Sequence, residues 1–309
     1  MGFLWILPGV GAVVLAIAYV CYRMAFYVPP RKAGEPTKPL PLGEIYAPYL
    51  PQMKLWKEEM DNLPHEQLQV TSFDGLTLYG NFYEYAPGAP IELMFHGYRG
   101  SAQRDLCGGV QRCFALERSA LVVDQRCCGR SEGKTITFGI CERRDCMTWL
   151  KLMEEKFPDR KFILCGISMG ASTVMMMADE ELPSNVVGIL ADCGYSSARA
   201  IIQKVIKDMH LPPKLSYPFV NLGARVFGGF DLEEKTPLDA LKNSRLPVIF
   251  FHGEGDDFVP CDMSRETYDA CTSRKQLVTV PGAGHGLAYL ADPDTYLKEL
   301  GAFFARELA

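Results

Sequence analysis

The sequence predicts an α/β fold: a mostly parallel eight-stranded sheet with helices on both faces and a small helical cap, preceded by one amino-terminal transmembrane helix. Three patterns predict it. From residue 65 onward eight short runs recur, "EQLQVTSF", "LTLYGNFYEY", "IELMFHG", "ALVVDQ", "KFILCGIS", "NVVGILADCG", "PVIFFHGEG" and "QLVTVPGAG", most of them continuously apolar, as strands buried on both faces are. Helix-like segments separate the later runs, which is the alternation of a parallel sheet. The third pattern is the charge-free opening Phe3 to Tyr22, "FLWILPGVGAVVLAIAYVCY". A helix of about 20 such residues is long enough to span a bilayer.

Composition bounds the function. A 309-residue chain that is 48% hydrophobic and 22% charged is a globular protein with a large core. A net charge of -5 with no clustered Lys/Arg stripe argues against a nucleic-acid partner. The eleven cysteines are an odd number scattered through apolar runs. They read as buried small residues rather than a secreted disulfide framework. Cys141 and Cys146 lack the spacing of a zinc knuckle, and no metal constellation is expected.

Residues 1–28 read as a membrane anchor. A cleaved signal peptide is the rival, with "AIA" at Ala16 to Ala18 as its cleavage site, but the basic leading region is missing. A buried core helix is a weaker rival. Arg23, Arg31, Lys32 and Lys38 follow the span, so the positive-inside rule puts the carboxyl-terminal side of a single-pass chain in the cytoplasm. Residues 29–64 form a linker and juxtamembrane segment: Val28 to Leu42 is rich in Pro, Gly and Lys, and Tyr49 to Asn62 predicts one short helix. The α/β domain is 65–309, with its cap at about 195–245.

Within that domain, "KFILCGIS" is a strand and "MGASTVMMMADEE" a helix, so Ser168 stands on the turn between them. Gly166 and Gly170 leave room for strand and helix to cross closely, as a nucleophile elbow requires. Exposed at a helix amino end, the hydroxyl would attack a carbonyl while the Met169 amide helps hold the oxyanion. The bland alternative is an ordinary glycine-rich turn. The partners decide between them, because on this scaffold a serine is followed by an acid and then a histidine. Of five histidines, His65 and His96 precede the serine, His210 lies in a helical segment, and His252 ends the seventh strand before the acid loop. His285, in the glycine-rich "PGAGHGLAYL", is left as the base. The loop "FFHGEGDDFVP" offers Glu254, Asp256 and Asp257 as the acid. Asp256 is the choice, with Asp257 the near rival and Asp192 in "ADCGYS" a third option one strand earlier. In "MFHGYRGS" the Tyr98 amide fits a second oxyanion donor, and His96 fits a structural role beside it. Arg99 could pair with a carboxylate or meet a substrate charge, a solvated arginine being the commoner outcome.

The ordered set "HGYRGS", "DQRCCGRSEGK", "GISMGAS", "HGEGDDFVP" and "GAGHG" resembles the α/β-hydrolase superfamily of serine hydrolases over nearly everything after residue 65. Within it the chain is similar to bacterial membrane-anchored, lysophospholipase-like or BEM46-like hydrolases, which also resemble the catalytic domains of prolyl-oligopeptidase relatives. The resemblance implies Ser168 as nucleophile, Asp256 as charge-stabilising acid, His285 as general base and acid, and Tyr98 with Met169 as the oxyanion pair. It does not choose a substrate, since one triad serves esters, thioesters, lipids and peptides. Cys127 and Cys128 depart from the usual small or histidine residues at their position, which raises redox sensitivity as a question.

Two other motifs fail. "CGRSEGKT" has Gly129 and Gly133 too close together for a phosphate-binding loop, and "GVGAVV" lacks a preceding strand. The segment Tyr195 to Arg245 is long for a loop and partly amphipathic, so it predicts a cap over Ser168 with Ile201, Ile202, Val205, Met209, Phe219, Leu222 and Phe227 as candidate lining. The expected activity is therefore hydrolysis of acyl or lipid-like carboxylic esters through an acyl-enzyme, without a cofactor. An oligopeptidase-like amidase and a non-catalytic lipid- or partner-binding domain are the alternatives.

Overall fold

The computed structural model of the chain describes residues 6–29, 39–41 and 43–308. The expected charges at Arg31, Lys32 and Lys38, the first residues of the apolar span and most of the expected linker lie outside the described residues.

An eight-stranded sheet forms from β1 (Glu66–Thr71), β2 (Thr77–Tyr83), β3 (Ile91–Phe95), β4 (Ser119–Asp124), β5 (Phe162–Ile167), β6 (Val186–Asp192), β7 (Val248–Gly253) and β8 (Lys275–Val280). Their order is β1-β2-β4-β3-β5-β6-β7-β8. The β1–β2 and β2–β4 pairs are antiparallel and every later pair is parallel. The inner strands β3 to β7 bury both faces, which is why most of their residues are apolar, whereas the edge strand β8 is half-buried. Alternate residues go to opposite cores: Leu93, Leu164 and Phe250 join one cluster, while Met94, Ile163 and Ile249 join the other.

Helices cover both faces. On one lie α5 (Glu142–Lys156), α6 (Met169–Met175) and α9 (Pro237–Leu241), which bring Trp149, Val174 and Leu241 to the first cluster. On the other lie α2 (Leu50–Asn62), α3 (Ala102–Asp105), α4 (Cys107–Ala115), α11 (Ala288–Ala291) and α12 (Pro293–Leu308), which bring Met60, Val110, Ala288 and Phe304 to the second. The helix α10 (Cys261–Ala270) packs on β7 and β8. Between β6 and β7 rise α7 (Ala198–Asp208) and α8 (Pro213–Gly223), followed by a π turn at Ala224–Gly228. These form the cap, whose Ile201, Ile202 and Val220 enter a third apolar cluster above the strand ends.

The amino-terminal helix α1 (Ile6–Ala25) joins that third cluster. Ala18 and Tyr22, four residues apart, are buried against α8, and the chain then buries Phe26. The backbones meet closely at Gly223, where an added Cβ would stand 2.4 Å from the Ala18 carbonyl oxygen. Beyond this contact Val10, Val13, Leu15, Ile17 and Val20 are exposed. Among the described residues no helix is long and apolar enough to cross a membrane. After α1 the chain pairs with the loop that follows β4: Val28 N–H donates to Lys134 O and Ile136 N–H to Phe26 O.

One buried ion cluster ties β3 to its helix layer. Glu92 is fully buried and receives Arg118 Nη1 at 2.7 Å and Arg112 Nη2. Burial pushes its carboxyl up, but the two guanidinium groups outweigh this and hold it below the usual range. Removing one member of such a cluster leaves uncompensated charge in the core. Glu92→Ala is expected to destabilise the fold by about 3–5 kcal/mol in urea unfolding, and a loss below about 1 kcal/mol would show that Arg112 and Arg118 find other partners.

Candidate active site

Strand β5 ends at Ile167, and Ser168 follows with φ 56° and ψ -119°, a backbone conformation costly for any residue with a Cβ. Two contacts hold it there. Ser168 N–H donates to Asp192 O on the next strand at 2.8 Å, and Ser172 N–H closes the first helical turn onto Ser168 O at 3.1 Å. The flanking glycines make the crossing possible. A Cβ on Gly166 would lie 2.2 Å from Gly170 backbone atoms, and one on Gly170 would lie 2.0 Å from Phe95 O.

Ser168 Oγ lies 3.0 Å from His285 Nε2. On the other side of the ring, Nδ1 lies 2.7 Å from Asp256 Oδ2, so this network assigns the proton to Nδ1 and leaves Nε2 to accept from the serine. The imidazole is braced by the edge of Phe258, centroids 5.1 Å apart, and by Tyr46, whose hydroxyl donates to His285 O at 3.1 Å. Glycines let its loop press against the acid loop: a Cβ on Gly253 would meet Ala283 O at 2.1 Å, and Gly255 N–H donates to that same oxygen at 2.9 Å.

Asp256 is buried, and its Oδ1 accepts from the amides of Phe258 at 3.0 Å and Val259 at 2.8 Å. His252 Nε2 lies 2.8 Å from Val259 O and 3.3 Å from Asp256 Oδ2, sharing one N–H between carbonyl and carboxylate while Nδ1 accepts from Ser264 Oγ at 2.6 Å. Burial alone would raise the Asp256 carboxyl; hydrogen bonds from His252 and His285, the His285 charge and the Val259 amide outweigh it and hold the group at about 2.

The rival acids stand elsewhere. Asp257 is exposed and Lys204 Nζ donates to its carbonyl; Glu254 accepts from Thr279 Oγ1 at 2.8 Å; Asp192 accepts from Tyr296 Oη at 2.8 Å and is pushed up by burial. Cys193, Asp256 and His285 bring possible metal-ligand atoms within 4.8 Å of one another. However, Asp256 and His285 are already bonded to each other, and burial pushes the Cys193 thiol far up, so the trio fits an acid–base pair backed by a protonated thiol better than a cation site.

The loop after β3 lies against the elbow: a Cβ on Gly97 would stand 3.5 Å from Ser168 Cβ. Among the described residues the N–H groups of Tyr98 and Met169 donate to no other protein group. The buried His96 fixes this loop, Nδ1 donating to Gly97 O at 2.8 Å and Nε2 accepting from Gln125 N–H at 3.1 Å. Asp105 accepts from Gly97 N–H at 3.2 Å. Arg99 Nη2 donates to Met24 O at 2.9 Å and Tyr27 O at 3.0 Å, while Tyr98 Oη donates to Ala25 O at 2.7 Å. The end of α1 is thereby bound to the loop that faces Ser168.

Two cavities meet at Ser168. One, about 320 Å³, is almost wholly apolar and lies between α1, α7 and α8. Of the cap residues expected as lining, Ile201, Ile202, Val205 and Met209 face it, whereas Phe219, Leu222 and Phe227 do not. Phe227 packs on Tyr19 of α1 instead, centroids 5.1 Å apart. The other cavity, about 380 Å³, mixes Ile45, Met53 and Leu287 with Tyr46, Arg104, Asp105 and Asp257. A larger groove of about 810 Å³ lies beside Arg126 and Arg144 and contains neither Ser168 nor His285, so size alone does not locate the chemistry.

Sequence reasoning missed Tyr46, the support that His252 gives Asp256, and the contribution of α1. His252, four residues before Asp256 in "HGEGDD", was the available signal for the second; the other two had none.

Residues 93–242 match the family model described as alpha/beta hydrolase fold. The uncharacterized protein YqkD of Bacillus subtilis is 26% identical over 187 residues, 60% of this chain and 61% of that protein, so the chain spans only about three fifths of it. Protein bem46 of Schizosaccharomyces pombe is 24% identical over 253 residues, 79% of this chain and 78% of that one. Among solved structures, the Pyrococcus furiosus esterase Pf2001 superposes with a TM-score of 0.66 at 18% identity, covering 90% of this chain and 98% of the esterase. The acylaminoacyl peptidase of Pyrococcus horikoshii gives 0.57 at 16% identity, covering 81% of this chain and 43% of the peptidase.

A carboxyl held below its unfolded value of 3.8 stabilises the fold when ionised, fully above that value, and loses this contribution as pH falls toward about 2. The stability advantage of the natural chain over Asp256→Asn is therefore expected to shrink between pH 3.8 and about 2 in denaturant titrations. An advantage that is constant or grows on acidification would contradict it.

Proposed function

We propose that this chain, a member of the α/β-hydrolase superfamily that resembles its BEM46-like branch, is a serine hydrolase cleaving carboxylic esters of apolar acyl groups through an acyl-enzyme. The observation that carries the reading is the hydrogen-bonded series Ser168–His285–Asp256 opening onto an apolar cavity.

In this reading His285 Nε2 takes the Ser168 proton as Oγ attacks the ester carbon. Asp256, ionised throughout the neutral range, stabilises the imidazolium and keeps the tautomer. The amides of Tyr98 and Met169 receive the oxyanion, each such donor being worth roughly 10²–10³ in rate. His285 then protonates the departing alkoxide, and a water activated by the same nitrogen releases the acid. The acyl group occupies the apolar cavity, where each buried methylene contributes about 0.8 kcal/mol. The alcohol leaves through the mixed cavity of Tyr46 and Arg104.

Membrane association by the amino-terminal segment, with the catalytic domain on the cytoplasmic side, belongs to the same proposal. It is supported by the apolar residues that α1 exposes on every side beyond Ala18 and by Arg23 at its end. Val13→Lys with Ile17→Lys is expected to move the protein from the membrane to the soluble fraction of disrupted cells; an unchanged distribution would contradict that role.

The kinetic test compares Ser168→Ala and Asp256→Asn with the natural chain on matched esters and peptide amides. Ser168→Ala is expected to lose at least about 10³-fold in kcat, and Asp256→Asn about 10⁴-fold through the wrong histidine tautomer. Near-natural turnover by Ser168→Ala would sink the reading. Preference for amides would replace it with the peptidase reading, and inertness of the folded natural chain with that of a binding domain.

A further inference from the structure

The helix α1 does more than pack against the cap. Cys21, Met24 and Ala25 occur at i, i+3 and i+4, one face of a helix, and all three line the apolar cavity above Ser168. Opposite them stand Ile202 and Val205 of α7 and Val220 of α8. The adjoining face, Ala18 and Tyr22, is fixed on α8 by the close crossing at Gly223. Tyr98 Oη and Arg99 Nη2 hold the carbonyls of Ala25 and Met24, which locks the last turn of α1 to the loop beside the serine. The wall is therefore positioned from two sides, by the cap and by the catalytic core. Cys21 is partly buried, while Met24, 56% exposed, lines the cavity and meets solvent, as do Met209 and Leu211 of the cap.

We propose that Cys21 and Met24 are specificity-determining residues that set the length of the acyl chain accepted at Ser168, the preferred ligand being an unbranched fatty acyl ester. The inference rests on the ester-hydrolase reading above and deepens it. A chain bound at Ser168 runs outward between α1 and α7, gaining contact with each methylene until it passes Met24. A large ring at either position shortens that path, whereas truncation to alanine lengthens or widens it.

The test measures kcat/KM of the full-length protein in detergent for p-nitrophenyl esters from acetate to dodecanoate. In the natural chain selectivity is expected to rise by up to about four-fold per methylene until the cavity is filled. Cys21→Trp and Met24→Trp are expected to lower the octanoate-to-acetate ratio by at least about ten-fold, whereas Val13→Trp, on the exposed part of α1, leaves the ratio unchanged. Cys21→Ala and Met24→Ala shift the optimum to longer chains, which keeps the test valid if a tryptophan variant fails to fold. An acyl-length profile that is the same in all four Cys21 and Met24 variants as in the natural chain would overturn the inference while leaving the ester-hydrolase reading standing. Absence of Ser168-dependent turnover of any ester would instead overturn that reading and the inference with it.

Discussion

The Ser168–His285–Asp256 site depends on a backbone crossing before it depends on any side chain. Strand β5, the elbow and α6 come so close that Gly166 meets Gly170 and Gly170 meets Phe95 O, at distances no Cβ would permit. That crossing forces Ser168 into its positive-φ conformation and lifts the hydroxyl above the sheet edge. The cost is met by the parallel ladder on either side and by a helix whose residues are all buried. The same arrangement leaves the Met169 amide at a helix amino end, where negative charge is favoured.

Around the elbow, charge is arranged in layers. Asp256 accepts two amides and one histidine and shares a second, so its negative charge is held within a buried loop and passed to His285 as a fixed orientation. His252 belongs to this support and does not reach Ser168, because its other nitrogen is occupied by Ser264. His96 does comparable work under the β3 loop, where burial pushes it down and keeps the ring a neutral link between Gly97 and Gln125. Each histidine is thus assigned by what its second nitrogen touches.

Much of this was legible in the sequence for a simple reason. Parallel strands end at one edge of the sheet, so residues just after apolar runs share a neighbourhood, and Ser168, Asp256 and His285 each follow such a run. Elimination among five histidines was open to sequence reasoning because chain order is restricted on this scaffold, and the histidine it leaves, His285, lies 3.0 Å from Ser168 Oγ. The choice between Asp256 and Asp257 was not legible: adjacent carboxylates differ only in which one the loop turns inward, and the amides of Phe258 and Val259 that turn it are seen only in the fold. The docking of α1 was hidden for another reason. A helix apolar on all sides has no amphipathic stripe to announce a partner, so the Ala18–Tyr22 face and the Cys21–Met24 face looked alike. Tyr46, in a stretch read as linker, reaches the His285 backbone through a contact that no local pattern encodes.

The most direct measurement is to trap the covalent species. The folded full-length protein, treated with a long-chain alkyl fluorophosphonate and digested, would be mapped by mass spectrometry. The account predicts one adduct, on the peptide carrying Ser168, formed more slowly in Asp256→Asn and competed by a long-chain ester. An adduct on another residue, or none in a folded protein that turns over esters, would contradict it.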